Sequence, residues 1–499
     1  MNDLKKNVTK VMIVFLFLFI ALISYIAYFQ VFKAYNIAHK QGNRIVWAQR
    51  NSVLRGTIYD RNMNPLTKSV RTGPLSQKVE YPYGGIFAHP IGYMSERFGV
   101  TGLEATFDKQ LSTYNSTRTD LKTLMDNFSW QNLKDMFFQR NNKSNQVGNS
   151  VVTTLDTKVQ EAVVKAFGNH KGGAVAIDPK TGQVLAMVSM PTFNPNDLAT
   201  EMARANKIEQ ENKNLPDPGS PLVNRAINGL FPPGSTFKIV TTTSALNNIP
   251  GVGSEIFHDT GEIKFPDGQV LHNNDYEVDG NIDLRRAFVL SSNVVFGTLA
   301  MQLQNPKLRQ TAEMFGFNEQ IPAIGFAMTP SQFPKYDSWQ IGLIAQSGIG
   351  QAGVLASPMQ MALVAGTVAN NGVMMEPKLV NKIINQQGQT VQSFSNQEYR
   401  RVMSQSDAAT IKSYMTSLVE NNMAGGYWSF FKGYDVAAKT GTATHDGKAP
   451  DSWLEGFAPA NDPKIAFAVC VEDAGYGAGA ASDVAGAMLH AFFNNKPPQ

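Results

Sequence analysis

Twenty-two consecutive residues, Val11 to Phe32, carry no charge, and most of them are Val, Ile, Leu, Phe or Ala. As a helix rising about 1.5 Å per residue, the run reaches about 33 Å, enough to cross a hydrocarbon layer of about 30 Å. Lys5, Lys6 and Lys10 precede it, and Tyr25 and Tyr28 suit an interfacial aromatic belt. A cleaved leader has a shorter apolar core and a small-residue cleavage site. Here the run ends Ala27-Tyr28-Phe29-Gln30-Val31-Phe32, so an uncleaved anchor over 11–32 is expected, with residues 1–10 as a short tail. No second run of this length follows, which puts everything after Lys33 on one side of a membrane. Lys33, Lys40, Arg44 and Arg50 lie beyond the run, so charge alone does not orient it.

The 499 residues suffice for two or three domains. With 43% hydrophobic and 17% charged residues the chain is no disordered polymer, and a net charge of +4 gives no argument for nucleic acid as a partner. The single cysteine, Cys470, excludes an intramolecular disulfide and a Cys-rich zinc cluster. It lies in the apolar run Ile465–Val471 and reads as a buried strand residue.

Residues 33–148 read as a small mixed region. Arg55 to Asn62 suggests a strand entering a turn at Asn62-Met63-Asn64-Pro65, and residues 118–138 have amphipathic helical spacing. The polar stretch Asn141–Ser150 reads as a boundary. Beyond it, Gly173–Ile177 and Gln183–Val188 flank a five-residue turn, Asp178–Gly182, and predict a hairpin. Helical patterns dominate roughly 235–420. Strands are expected at 434–443, 453–458 and 464–472, and a closing helix at 483–493. Strands at both ends with helices between predict an α+β domain, an antiparallel sheet flanked by helices.

The most informative stretch is Phe231-Pro232-Pro233-Gly234-Ser235-Thr236-Phe237-Lys238. Pro and Gly bar a helix interior, and Ser-Thr follow where a helix can start. Ser235 and Lys238, three apart, share one helical face. A hydroxyl needs a base to become a nucleophile, and a lysine serves only where burial or a nearby cation lowers its pKa. The S-x-x-K pattern recurs at Ser429-Phe430-Phe431-Lys432, without a helix start and with Gly433 next, and is expected to be structural. K-T-G also occurs twice. Lys180-Thr181-Gly182 is the tip of the predicted hairpin, whereas Lys439-Thr440-Gly441-Thr442-Ala443 reads as a strand, with Gly441 letting a substrate backbone approach. Between these lies the only S-x-N, Ser291-Ser292-Asn293. The order S-x-x-K, S-x-N, K-T-G is the motif set of β-lactamases and penicillin-binding proteins.

On these residues the chain resembles a class B penicillin-binding protein over nearly its whole length. Arg55-Gly56-Thr57-Ile58-Tyr59-Asp60-Arg61-Asn62 is similar to the family's R-G-x-I-x-D-R-N stretch, and Gly102-Leu103-Glu104 with Asp108 and Leu111 to its G-x-E element. Arg55, Asp60 and Glu104 are expected to form structural ion pairs. Gly348-Ile349-Gly350-Gln351 and Ser357–Ala362 resemble a further family segment, expected to be scaffold. Asp451-Ser452-Trp453-Leu454 departs from relatives that often carry a histidine before the aromatic pair.

The resemblance implies a peptidoglycan D,D-transpeptidase with no cofactor or metal. Residues 33–148 would be a non-catalytic pedestal of the dimerisation type and 149–499 the transpeptidase domain. Ser235 would attack the penultimate D-Ala carbonyl of a stem pentapeptide and Lys238 take its proton. Ser291 would relay a proton to the leaving amine, and Asn293 orient the peptide and Lys238. Lys439 would keep the site electropositive, Thr440 and Thr442 grip the terminal carboxylate, and the N–H groups of Ser235 and Thr442 form the oxyanion hole. β-Lactams would acylate the same serine, a SEDS-type glycosyltransferase would be the membrane partner, and the bulk of the chain would lie outside the cell membrane on a single span.

Rival readings are a serine β-lactamase, a membrane β-lactam sensor and a catalytically idle scaffold. A sensor carries several spans and an H-E-x-x-H protease, which this chain lacks. A β-lactamase of the common class needs a glutamate in a loop after S-x-N with Asn four residues on. Residues 324–337 contain no glutamate, and Glu313 and Glu319, expected to be solvated, lack that asparagine.

Overall fold

The computed structural model describes residues 2–32, 47, 50–113, 146–213, 219–444, 449–475 and 479–494. The expected helix over 118–138 and the boundary segment from Asn141 to Asn145 lie outside the described residues. Helix α1 spans Asn2–Phe32, longer than the uncharged run because Lys5, Lys6 and Lys10 continue it toward the amino end. Residues Lys6–Phe29 form a candidate membrane span that is not buried among the described residues.

Five antiparallel strands form the central sheet: β1 (Gly172–Ile177), β2 (Val184–Met190), β3 (Ala437–Ala443), β4 (Asp451–Ala458) and β5 (Ile465–Val471). Their order is β3-β4-β5-β1-β2. The first hairpin closes through the expected five-residue turn, with Asp178 N–H donating to Gln183 O at 2.8 Å. Every residue of β1, β4 and β5 is buried, which accounts for their unbroken apolar runs. Cys470 lies in that interior, opposite Trp453 on one side and Gly173 on the other.

Helix α2 (Thr157–Phe167) and α8 (Ala480–Phe492) pack together against the sheet. Helix α6 (Pro358–Ala369), buried at all twelve positions, packs on β1, β4 and β5. A helix buried on every side needs cover on every side; α7 (Gln405–Ala424) supplies part of it. The closing helix starts three residues earlier than expected because Ala480-Ala481-Ser482 extend its apolar face under Ser452, whose Oγ accepts from Ala481 N–H at 3.2 Å.

Two stretches expected to be helical contain strands instead. Ile256–Asp259 pairs with Gly280–Asp283, and Glu262–Lys264 pairs with Val270–His272. Val373–Met375 and Val380–Ile384 pair with Glu398–Arg401 and Thr390–Ser393. Each run is too short for a helical period to be told from a strand period. The turns Pro266-Asp267-Gly268 and Gln386-Gln387-Gly388 are the signals that favour hairpins.

The strand expected at Arg55–Asn62 is reduced to Ile58–Tyr59, parallel to Ser150–Thr153. At Gly56 the backbone leaves the ladder: its N–H donates to Leu111 O at 2.9 Å, and a Cβ there would lie 1.8 Å from Asn149 O. Arg55 is fully buried, its Nε 2.5 Å from Glu104 Oε2 and its Nη1 2.7 Å from Asp108 Oδ1. Asp60 departs from the expected ion pairing. It caps its own turn, accepting from the N–H groups of Asn62 and Asn64 at 2.8 Å and from Thr157 Oγ1 at 2.7 Å.

Removing one partner of a buried ion pair strands the other charge. Arg55→Ala is therefore expected to lower unfolding free energy by about 3–5 kcal/mol, read by urea denaturation of the detergent-solubilised protein. Arg55→Met with Glu104→Leu should be milder, since neither charge of that pair then remains. Equal losses would mean that Arg55 acts by packing alone.

Candidate active site

Ser235 sits on a turn built by neighbouring backbone. Phe231 N–H donates to Ala356 O at 3.0 Å and Gly234 N–H to Gly350 O at 3.1 Å. Gly234 has φ +55°, and a Cβ there would lie 2.5 Å from Thr442 O, so both conformation and space demand glycine. The turn Gly234–Phe237 is 3-10, and helix α3 (Lys238–Asn248) begins at Lys238, three residues later than expected. Pro232 and Pro233 bring the chain in, and Thr236 Oγ1 back-bonds to Pro233 O at 2.7 Å, which tightens this first turn.

Ser291 ends helix α4 (Leu284–Leu290) in the left-handed region, φ +61°, and Ser292 caps helix α5 (Asn293–Met314). A non-glycine residue held there is strained and persists only where its surroundings over-determine it. Here Lys238 Nζ donates to Ser291 O at 2.6 Å, to Ser291 Oγ at 3.2 Å and to Asn293 Oδ1 at 2.9 Å. Lys439 Nζ donates to the same Ser291 Oγ at 2.9 Å. The two lysine nitrogens thus converge on one hydroxyl from α3 and β3. Each nitrogen also lies over an aromatic ring, Lys238 over Phe296 at 5.3 Å and Lys439 over Phe288 at 5.5 Å.

Both lysines are fully buried. Burial, and then the neighbouring Lys439, push Lys238 well below the usual ammonium range. Burial also lowers Lys439, to about 7, against the opposing pull of Glu455.

Behind the S-x-N turn lies a buried polar network that the sequence reading missed. Asp259 accepts from Ser292 Oγ at 2.5 Å, from Asn273 Nδ2 at 2.9 Å and from Gly261 N–H at 2.8 Å. Asn273 Oδ1 accepts from the N–H groups of Asn293 and Val294 at 2.7 and 3.1 Å, and Asn293 Nδ2 donates to His272 O at 2.9 Å. The hairpins between 256 and 283 therefore hold Asn293 in place. Asp259-Thr260-Gly261 and Asn273-Asn274 are polar clusters of the turn type that could have flagged them.

A cleft of about 320 Å³ is lined by Ser235, Ser291, Asn293, Thr440, Gly441 and Thr442. Gln346, Gln351, His272 and Asn274 line it as well, so Gln351, expected to be scaffold, borders the cavity. Lys238 and Lys439 lie beneath, reaching it through Ser291. Gly441 does expose backbone to the cleft, but its lack of a side chain serves a different contact from the one expected. A Cβ there would meet Pro233 O at 2.7 Å and Trp453 Cβ at 3.0 Å, so it is the serine turn that packs against it.

The second copies of the motifs stand apart. Ser429 and Lys432 are exposed beside a 3-10 turn, Ser429–Phe431, held by Phe430 against α8. Lys180, at the hairpin tip, pairs with Asp462 at 2.6 Å. Glu313 and Glu319, expected to be solvated, are partly exposed but paired, with Arg309 at 2.8 Å and Arg400 at 2.5 Å. The basic side chains of neighbouring segments make the difference. No carboxylate is among the described residues lining the cleft.

Residues 172–493 match the penicillin binding protein transpeptidase domain, and residues 55–147 the penicillin binding protein A dimerisation domain. The chain is 32% identical to the peptidoglycan D,D-transpeptidase PbpA of Mycolicibacterium smegmatis over 94% of each chain. It is 26% identical to FtsI of Escherichia coli, over 82% of this chain and 66% of that one. Among solved structures, a ceftriaxone acyl-enzyme complex of penicillin-binding protein A from M. tuberculosis superposes with TM-score 0.76 at 30% identity, covering 89% of this chain and 99% of that one. The constellation of two lysines about one serine, set beside these likenesses, places the chain in the class B penicillin-binding protein family.

Proposed function

We propose that the chain crosslinks peptidoglycan as a serine D,D-transpeptidase, and that the residues around Ser291 divide the work as follows. The observation that carries the assignment is the convergence of Lys238 and Lys439 on Ser291 Oγ beside the cleft that holds Ser235.

A neutral amine has two N–H donors and one lone pair. Ser291 O and Asn293 Oδ1, the two closer acceptors, take the donors. The third vertex is left to accept a proton from Ser235 directly or from the Ser291 hydroxyl. Ser235 Oγ bonds to the penultimate D-Ala carbonyl carbon while its proton passes to Lys238 Nζ. The oxyanion forms against the N–H groups of Ser235 and Thr442. The C–N bond then breaks, and Ser291, in contact with both lysines, hands the proton to the departing D-Ala amine. An amine of a neighbouring stem attacks the acyl-enzyme and restores Ser235. Thr440 and Thr442 hold the terminal carboxylate, with the Lys439 charge beneath. A β-lactam carries the same carboxylate and acyl centre, as the acyl-enzyme complexes of the M. tuberculosis relative illustrate.

The substrate lies outside the cytoplasmic membrane. Helix α1 is therefore read as a single span with the amino terminus inside, residues 33–148 as a pedestal and 149–499 as the catalytic domain. A SEDS-type glycosyltransferase is the proposed partner in the membrane.

Ser235→Ala is expected to abolish covalent labelling by a fluorescent penicillin, and Ser429→Ala to leave it intact; the reverse result would falsify the nucleophile.

Lys238→Arg should slow acylation as severely as Lys238→Ala, by about 10²–10⁴-fold, because guanidinium cannot give up its proton. Lys439→Arg should be milder, since charge suffices there. Acylation rates ranked the other way would exchange the two roles.

With no carboxylate in the described lining to activate water, the penicilloyl-enzyme should persist on the order of minutes to hours. Intact-protein mass spectrometry after a pulse of penicillin reads this directly. Free enzyme regenerated within seconds would make the chain a β-lactamase.

A further inference from the structure

Glu455 is a fully buried carboxyl that this mechanism does not use. It stands on β4 directly opposite Lys439 of β3. Directly opposed residues of antiparallel strands project from the same face, with β-carbons about 4.5–5.5 Å apart. Neither Glu455 Oε1 nor Oε2 has a hydrogen-bond partner among the described residues. A buried carboxyl left unbonded is costly, and fold alone does not ask for one in the middle of an apolar strand.

The other elements on β4 offer Glu455 no counter-charge. Its partner across β5 is Ala468, and Cys470 of β5 lies opposite Trp453. Helix α6 and the serine turn contain no ionisable residue other than serine and threonine hydroxyls. Helix α8 carries Asp483, which is exposed, and His490, which bonds to Phe430 O at 2.9 Å. Helix α7, on β3, carries Asp407, Lys412 and Glu420 at half-buried or exposed positions, and α4 carries the exposed Arg285 and Arg286. Around Lys439 itself the remaining charges are Lys238, across Ser291, and Asp259 behind Ser292.

We propose that Glu455 is a positioning residue that acts through Lys439, supplying from the adjacent strand the counter-charge that keeps the Lys439 ammonium available to a carboxylate lying along Thr440 and Thr442. The proposal rests on the role given to Lys439 above. Burial drives both groups toward their neutral forms, Lys439 down and Glu455 well up, and in each case the other partner is what opposes it. A carboxylate arriving at Thr440 and Thr442 adds a second negative charge beside Lys439 and favours its ammonium form further.

The sign of the effect follows. Lys439 is charged below its pKa and neutral above it, so carboxylate recognition fails on the alkaline side of the pH profile. Without Glu455 the ammonium loses its counter-charge and deprotonates earlier. The test is the second-order rate of acylation by a fluorescent penicillin, measured from pH 6 to 10 on the full-length protein in detergent for wild type, Glu455→Gln and Glu455→Met. The alkaline limb should move down by about one pH unit in both variants, a rate about tenfold lower on the falling limb, this being the lower end of the effect of an opposite charge within 4–6 Å. In a Lys439→Arg background, where the cation cannot deprotonate, Glu455→Gln should move nothing. Thermal unfolding should show both variants folded, since the carboxyl has no hydrogen bond among the described residues to lose.

A limb that stays in place, an equal shift in the Lys439→Arg background, or failure of both Glu455 variants to fold would overturn the proposal. The last would make the carboxyl a requirement of the fold. A wild-type protein that penicillin does not acylate would instead overturn the transpeptidase reading itself.

Discussion

Two lysines buried about one serine hydroxyl set the terms for the rest of the catalytic domain. A buried ammonium is expensive, and two within reach of the same oxygen repel each other. The protein meets this by letting the charge go. Lys238 is driven toward the neutral amine, which is the form a base requires, and its donors are used on Ser291 O and Asn293 Oδ1. Aromatic faces from Phe296 and Phe288 take up part of what remains. The same desolvation that threatens the fold favours the neutral form that the proposed base needs.

Such an arrangement tolerates little slack, and much of the architecture serves to remove it. The serine turn is clamped between β3 and the Gly348–Gln351 segment. Gly234, Gly350 and Gly441 are the points where backbone meets backbone too closely for a side chain. On the other side, the S-x-N turn is held in a left-handed conformation by the Asp259–Asn273 network and by Lys238 itself. The site is thus suspended between the sheet edge and the paired strands of 256–283. The wholly buried α6 backs the sheet from its position on β1, β4 and β5.

The anchor, the motif order and the strands of the central sheet were legible in the chain. Each depends on neighbours in sequence: an uncharged run long enough to cross a bilayer, S-x-x-K three apart, period-two or continuous apolar strands. The hairpins of 256–283 and 373–401 were not, because runs of three to five residues carry too little periodicity to distinguish strand from helix. Asp60 was expected in an ion pair and proved to be a turn cap, since an Asp followed by Asn-Met-Asn can satisfy backbone N–H groups locally before any cation arrives.

What the sequence determined by itself was the chemistry available: one serine with a lysine a helical turn away, a second lysine in a strand, and before both an apolar helix long enough to cross a membrane. The tertiary structure put Ser235 beside the cleft and left Ser429 and Lys180 in other surroundings, the separation that their sequence contexts had already suggested. It alone brought residues 235, 291 and 439 to one cleft, and it alone set Glu455 against Lys439. Strand register brings together residues sixteen apart along the chain, and burial then decides whether their charges survive. Neither register nor burial is a property of any short stretch of sequence.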